Sequence, residues 1–406
     1  MKKAIVSALF ILIPALMILP AQLAGQNAPE ENSSQIEKTR DARRFFVDCD
    51  RGATLHWALE RAKIFERAEV LFRGTCNEVI LINRDHLTLR GTGTNPLLIG
   101  LVDVVGASNV VIRDFEISSD ENTPTGTRFG GVNAIDGSAV TVANMYIHDL
   151  LARGIRLINS TARLRDIRVE NAGAGAYVFR GSSLAFEGSL TGIGGNFGMS
   201  LVDSNAFARD ADFEFRGSNF GLIIQISSGF EHVEGSLTVE ENAIGLLLSA
   251  QGTYAFGSFI EANNNTLAGV IVDELSSMTP LNGAPGGGPS LTVTNNTPFG
   301  ILMNRGSTLR LSEPTVVTGN SVGMFIDTST LIMAGTRVEN NDLNMDLSFG
   351  SWVTFQSGNI VATPYQCDGD VLTRGEDLCS SAAASAFKVP EIDLDEVLRR
   401  LRQLDH

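Results

Sequence analysis

A glycine followed by a short alternating apolar run recurs through this chain at a near-constant interval. It stands as GVNAID at Gly131, GIRLIN at Gly154, GAYVFR at Gly175, GMSLVD at Gly198 and GLIIQI at Gly221. It continues as GLLLSA at Gly245, GVIVDE at Gly269, GILMNR at Gly300 and GMFIDT at Gly323, and a tenth copy, NMDLSF, begins at Asn344. The steps are 23, 21, 23, 23, 24, 24, 31, 23 and 21 residues. The long step contains SSMTPLNGAPGGGPS (276–290), a Gly/Pro-rich insertion of the kind that maps to a loop of a repeat.

Aligned on the glycine, the first and third following residues are apolar in every copy, from Val132 and Ala134 through Leu246 and Leu248 to Met324 and Ile326. That is a strand with one face always inside. Further alternating runs follow each copy, such as AVTVANMYIHD and ARLRDIRVEN, and an asparagine precedes most glycines (Asn171, Asn196, Asn219, Asn242, Asn296, Asn320, Asn341). Asn and Gly supply turns, and stacked Asn side chains can bond one another from copy to copy. Two or three strands and their turns in this length make one coil of a β-helix; a propeller blade needs about twice the period. The stretches VLFRG, NEVILIN, DHLTLRGTG, NPLLIG and SNVVIRDFEIS predict further coils upstream.

Both open ends of such a solenoid need covering. At the start, TLHWALERAKIF puts Leu55, Ala58, Leu59 and Ala62 on one helical face. At the end, PEIDLDEVLRRLRQLDH predicts an amphipathic helix with Leu394, Leu398, Leu401 and Leu404 on one side. Four cysteines allow three pairings. Locality favours Cys49–Cys76 and Cys367–Cys379, with zinc ligation as the competing reading. The expected organisation is a signal peptide over 1–25 and a flexible polar leader over 26–44. An all-β right-handed parallel β-helix follows over 45–365, then a C-terminal disulfide loop and amphipathic helix over 366–406. Export to the periplasm or beyond follows, with no transmembrane segment after cleavage. A net charge of −15 without a basic tract excludes nucleic acid as an expected partner.

The block VDCDRGATLHWALERA, then VLFRGTCNEVILINRDHLTLRG, then the glycine-anchored coils, resembles the pectin-lyase-like right-handed β-helix superfamily, in particular its exported bacterial members. The resemblance covers about residues 45–365. It implies a polysaccharide or cell-envelope partner lying along one outer sheet face. The sharper signatures of polygalacturonases, mannuronan epimerases and calcium pectate lyases are not seen, and neither are sugar-binding platforms built on tryptophan, since the only two are Trp57 and Trp352.

The positions pointing outward divide in two. Asn133, Arg156 and Tyr177, with Asn159, are the expected substrate-binding residues of the early coils. Ile223, Leu247, Ile271, Leu302 and Phe325 form an apolar stripe, expected to be either a homo-oligomer interface or a surface covered by the chain itself, with the 276–290 insertion as a candidate cover. At the sheet edge, Asp136, Asn159, Arg180 and Asp203 make a polar ladder. Asp136, Arg180 and Asp203 are the candidate catalytic residues. The two carboxylates offer acid–base chemistry or a Ca²⁺ site, while an ion-paired turn is the structural alternative. The other possible role of the chain is a non-catalytic surface scaffold or adhesion protein that assembles through the stripe.

Overall fold

The computed structural model describes residues 42–119, 130–281, 290–312, 314–348, 350–368, 371–375 and 379. Two compact units divide the chain, Met1–Ala42 and Arg43–His406, and the solenoid lies in the second. Its first strand, Arg43–Asp48, begins two residues before the expected boundary.

The fold is a right-handed parallel β-helix of about 13 turns. Strands pair in parallel with their counterparts one coil on, as Arg153–Ile158 does with Ala174–Phe179. Three faces surround the core. The first is built from the glycine-anchored strands, among them Val132–Ile135, Phe197–Val202, Ile244–Ser249 and Leu343–Leu347. The second and third begin as single long strands, Ala139–His148, Thr161–Glu170, Ser183–Ile193 and Asn205–Arg216. Each long strand contains a residue of positive φ: Asn144, Asp166, Gly188 and Asp210. Such a residue bends the strand into two faces, and Asn, Asp and Gly tolerate it best. Later coils complete the break, with Gly229–His232 and Gly235–Glu240 as separate strands.

The predicted inward pair holds. Ala134, Leu157, Leu201, Leu248 and Ile326 are fully buried in one continuous core. The glycine itself is required by close packing: a Cβ on Gly198 would lie 2.3 Å from Phe215 and 2.5 Å from the Gly221 carbonyl.

Two polar ladders satisfy the backbone at the corners. Buried Asn242, Asn265, Asn296, Asn320, Asn341 and Asn344 form one of them. The Asn265, Asn296 and Asn320 side-chain amides each donate to the next carbonyl oxygen, at 2.8, 3.0 and 2.9 Å. Asn196 and Asn219 bond each other at 3.0 Å in an exposed position, and Asn171 turns instead to Asp149. The second ladder is serine. Ser138, Ser160, Ser182, Ser204 and Ser228 are buried, and the Ser138 and Ser160 amides donate to the next hydroxyl at 3.1 and 3.2 Å.

The N-terminal end is capped as expected. The helix Leu55–Ala62 buries Leu55, Ala58, Leu59 and Ala62. Thr54 accepts from the Trp57 amide, and the Glu78 carboxylate accepts from the Leu55 and His56 amides at 2.6 and 2.9 Å. Disulfides join Cys49 to Cys76 and Cys367 to Cys379. The C-terminal amphipathic segment and the proposed signal peptide lie outside the described residues. No described helix is long and apolar enough to cross a membrane.

Candidate functional site: a polar ladder on the third face

The residues expected to bind substrate do not share an open surface. Asn133 is 3% exposed and donates to Asp103 at 2.7 Å. Tyr177 is 4% exposed, with the Arg153 guanidinium 4.1 Å from its ring centroid. Arg156 is partly buried, which lowers its pKa. Asn159 is exposed but sits in a turn with positive φ.

Asp136, Asn159, Arg180 and Asp203 do stack, one per coil, because they follow the paired residues Ile135, Ile158, Phe179 and Val202. All four have positive φ, and their amides and carbonyls carry turn hydrogen bonds such as Arg180 N to Val202 O at 3.2 Å. Asp136 and Asp203 are three rungs apart, ~14 Å at the spacing of paired strands. One cation holds its ligands within about 2.6 Å, and paired glycosidase carboxylates lie within about 9.5 Å of each other. That backbone separation is wider than the shell of one ion or a paired acid and base, so the two aspartates would meet on one group only by leaning toward each other across the intervening rungs. Among the described residues, the one group of His, Cys, Asp or Glu ligands close enough to converge is Cys49, Cys76 and Glu78. Its cysteines are disulfide-bonded and its glutamate caps the helix.

The apolar stripe is sealed within the single chain. Ile223 and Leu247 are 0% exposed, Ile271 is 1% and Leu302 is 6%, while Phe325 is partly buried. They form a second cluster, separate from the interior, together with Phe197, Phe220, Ile244 and Phe299. The expected cover is corrected in part: Ser277–Pro280 is a regular strand pairing with Thr253–Phe256, and residues 282–289 lie outside the described residues.

The third face is different. Its inward residues Ile117, Ile147, Val169, Phe215, Val239 and Val293 are buried, so the alternate positions stand outward. One outward column runs Glu116, Tyr146, Arg168, Thr191, Glu214, Thr238, Glu261, Thr292. The next runs Ser118, His148, Glu170, Ile193, Arg216, Glu240, Asn263, Thr294. All but Ile193 can hydrogen-bond.

The densest chemistry lies at the early end. The Tyr146 and His148 rings stack with centroids 4.5 Å apart and planes 24° from parallel. Tyr146 donates to Glu170 at 2.6 Å, and Arg168 grips the same carboxylate. His148 Nδ1 is 2.8 Å from Asp149, and its Nε2 is 3.9 Å from Glu116. Asn171 donates to the other Asp149 oxygen at 3.0 Å. The Glu170 hydrogen bond and burial push the Tyr146 phenol up to about 12. Tyr146 and Arg168 hold Glu170 below the usual carboxylate range, and His148 and Asn171 do the same for Asp149. Tyr146 thus remains a protonated donor, both carboxylates remain acceptors, and His148 is a partly buried imidazole, 20% exposed, stacked on the phenol with a carboxylate facing each ring nitrogen.

These residues were legible only in part. MYIHD and RVEN sit in the runs expected to be strands, but the bend at Asn144 and Asp166 determines which side chains align on the third face.

No protein-family model matches the chain, and no curated protein is similar to it. Solved structures do resemble it. The bacteriophage Det7 receptor-binding protein, a podoviral tailspike in a myovirus, is 11% identical over 89% of this chain and 80% of that one, with a TM-score of 0.45. A double mutant of the periplasmic alginate epimerase AlgG is 14% identical over 81% and 82%, with a TM-score of 0.36. The A-module of Azotobacter vinelandii mannuronan C-5 epimerase AlgE6 is 12% identical over 82% and 97%, with a TM-score of 0.35. At these identities the likeness extends to the fold alone.

Proposed function

We propose that this is an exported protein that binds a polysaccharide along the third face, with the Tyr146–His148 pair as its principal subsite. The observation that carries this reading is the uninterrupted run of outward hydrogen-bonding side chains from Glu116 to Thr292, on strands whose opposite side builds the core. A rung repeat of ~4.8 Å presents donors and acceptors at a spacing that a glycan chain can follow. The stacked rings offer a flat apolar surface for a sugar face, and Arg168, Glu170, Asp149 and Asn171 offer hydroxyl partners. Net charge −15 favours a neutral chain over a polyanion. Two disulfides fit an oxidising compartment outside the cytosol.

The alternative, a non-catalytic scaffold that assembles through the apolar stripe, has less support, since Ile223, Leu247, Ile271 and Leu302 are buried in the single chain. The polysaccharide reading is tested by titrating a panel of neutral and acidic polysaccharides against the protein and against His148→Ala and Arg168→Ala. Both variants are expected to bind at least fivefold more weakly with an unchanged melting temperature. New reducing ends or unsaturated products in the same mixtures report cleavage. Equal affinity in all three proteins rules out the third-face subsite.

A further inference from the structure

The corner where the first face turns into the second changes character along the solenoid. At Asp203 and at Thr328 a single residue of positive φ makes the turn, followed by buried Ser204 or Ser329. Between them stand four consecutive turns with two such residues each: Ile226–Ser227, Ala250–Gln251, Glu274–Leu275 and Arg305–Gly306. The earlier two-residue turns, Asp136–Gly137 and Arg180–Gly181, place glycine second, but among these four only the last does so. A left-handed backbone crowds the Cβ of an L-residue, and for β-branched Ile226 it is a plain outlier. Three stacked turns therefore hold six residues in a conformation that favours glycine.

Such strain persists only where the surroundings enforce it, and it gathers at ligand sites. Stacking enforces it here. The second amide of each turn donates to the first carbonyl of the next: Ser227 to Ala250 at 3.0 Å, Gln251 to Glu274 at 2.9 Å and Leu275 to Arg305 at 3.1 Å. The four rungs line an open groove of about 720 Å³, within the ~300–1,000 Å³ usual for a small-molecule site. Ala250 gives the groove its depth, because it sits between the rungs of Ile226 and Leu275. Those two side chains are 51% and 65% exposed, so apolar groups stand in solvent on strained backbone.

The polar part of the groove is held in place. Asp273 is fully buried and accepts from Arg305 Nε at 2.8 Å and from a second guanidinium nitrogen. Glu274 lies 3.5 Å from the same guanidinium. Asp273 therefore meets the Arg305 charge, and Glu274 leaves the groove with a net negative charge that disfavours anions. Ser227 donates to Gln251 Oε1 at 3.2 Å, which fixes the amide with its Nε2 as a remaining donor.

Apolar walls around an amide, a hydroxyl and a carboxylate suit an uncharged, hydroxyl-rich ligand. The C–H face of a sugar would lie on Ile226 and Leu275, with its hydroxyls toward Gln251 and Ser227. Ile226 to Arg305 covers three rung intervals, ~14 Å along the axis, which gives room for a short oligosaccharide. We propose that this groove is a second carbohydrate site, which takes a short neutral oligosaccharide and works independently of the third face.

The test screens an immobilised array of neutral and acidic di- to tetrasaccharides against the parent protein, Ala250→Met, Gln251→Ala and His148→Ala. Neutral oligosaccharides should bind the parent. They should bind Ala250→Met, which fills the groove, and Gln251→Ala at least fivefold more weakly, with unchanged melting temperatures. Binding that is lost in His148→Ala but kept in both groove variants belongs to the third face and overturns the proposal. A preference for acidic sugars, or no neutral ligand at all, also overturns it. A second readout leaves the groove open. Ser227→Cys adds one free thiol to a chain whose four cysteines are disulfide-bonded. A neutral oligosaccharide that binds should slow its labelling by a maleimide at least threefold. Labelling at the same rate with and without that sugar places the ligand elsewhere.

Discussion

Replacing Asn296 with alanine should cost this protein about 2–5 kcal/mol, far more than one amide on a surface. Asn296 is 0% exposed. Its Oδ1 accepts from the Asn265 backbone amide at 2.9 Å and from Asn265 Nδ2 at 2.8 Å. Its Nδ2 donates to the Ala262 carbonyl at 2.9 Å and to Asn320 Oδ1 at 3.0 Å. Truncation to Ala orphans two buried donors on Asn265, each costing about 1–3 kcal/mol, and removes one donor from each of two oxygens. Asn320 Oδ1 keeps the backbone amide of residue 296 at 2.8 Å, so its loss is smaller. Asn296→Asp holds the shape but turns an oxygen toward Ala262 O and Asn320 Oδ1, and should destabilise at least as much. The comparison variant is Asn171→Ala, whose amide bonds the exposed Asp149 and should cost under about 1 kcal/mol. Urea unfolding read by circular dichroism gives the difference. Fluorescence from Trp57 in the capping helix and Trp352 in a late strand shows whether both ends unfold together. A loss for Asn296→Ala no greater than that for Asn171→Ala refutes the claim that the ladder holds the later coils together.

Burial should make His232 a source of acid sensitivity. It is 0% exposed, its Nε2 lies 2.9 Å from the Ala211 carbonyl, and burial lowers its pKa from 6.5 to about 4. The unfolded chain therefore takes the proton first. The stability held above pH 6.5 is lost as pH falls toward 4, by up to ~3 kcal/mol at ~1.36 kcal/mol per unit. His232→Gln should flatten that part of the pH–stability curve, and parallel curves for the two proteins would contradict it. Gly198→Ala forces a Cβ against Phe215 and the Gly221 carbonyl, and should cost about 1–3 kcal/mol in thermal or urea unfolding. Gly192, where the nearest atom to an added Cβ is 3.1 Å away, should tolerate alanine better, and equal losses would count against close packing as the reason for the repeat glycine. In the glycan titrations, His148→Ala should weaken binding at every pH, since the ring pair is lost along with the imidazole.

The repeat was readable in the chain because a β-helix coil is a local object. Period, alternation and turn residues lie within two dozen positions, and Val132, Leu157 or Leu248 faces inward for reasons carried by its immediate neighbours. The serine ladder was equally available as a serine six or seven residues after most of the glycines, from Ser138 to Ser228. Reading outward positions required more. Alternation marks Ile223 and Leu247 as pointing away from the interior, and does not show that both are fully buried in a second cluster. Nor does it show that Asn144 and Asp166 turn the chain so that Tyr146, His148, Arg168 and Glu170 meet on a third face. Asp136 and Asp203 show the same limit, since the sequence aligns them in one column while the rungs hold them ~14 Å apart. Which residues face the core is decided within a coil; which of the others meet solvent, a ligand or the rest of the chain depends on contacts between segments far apart in sequence.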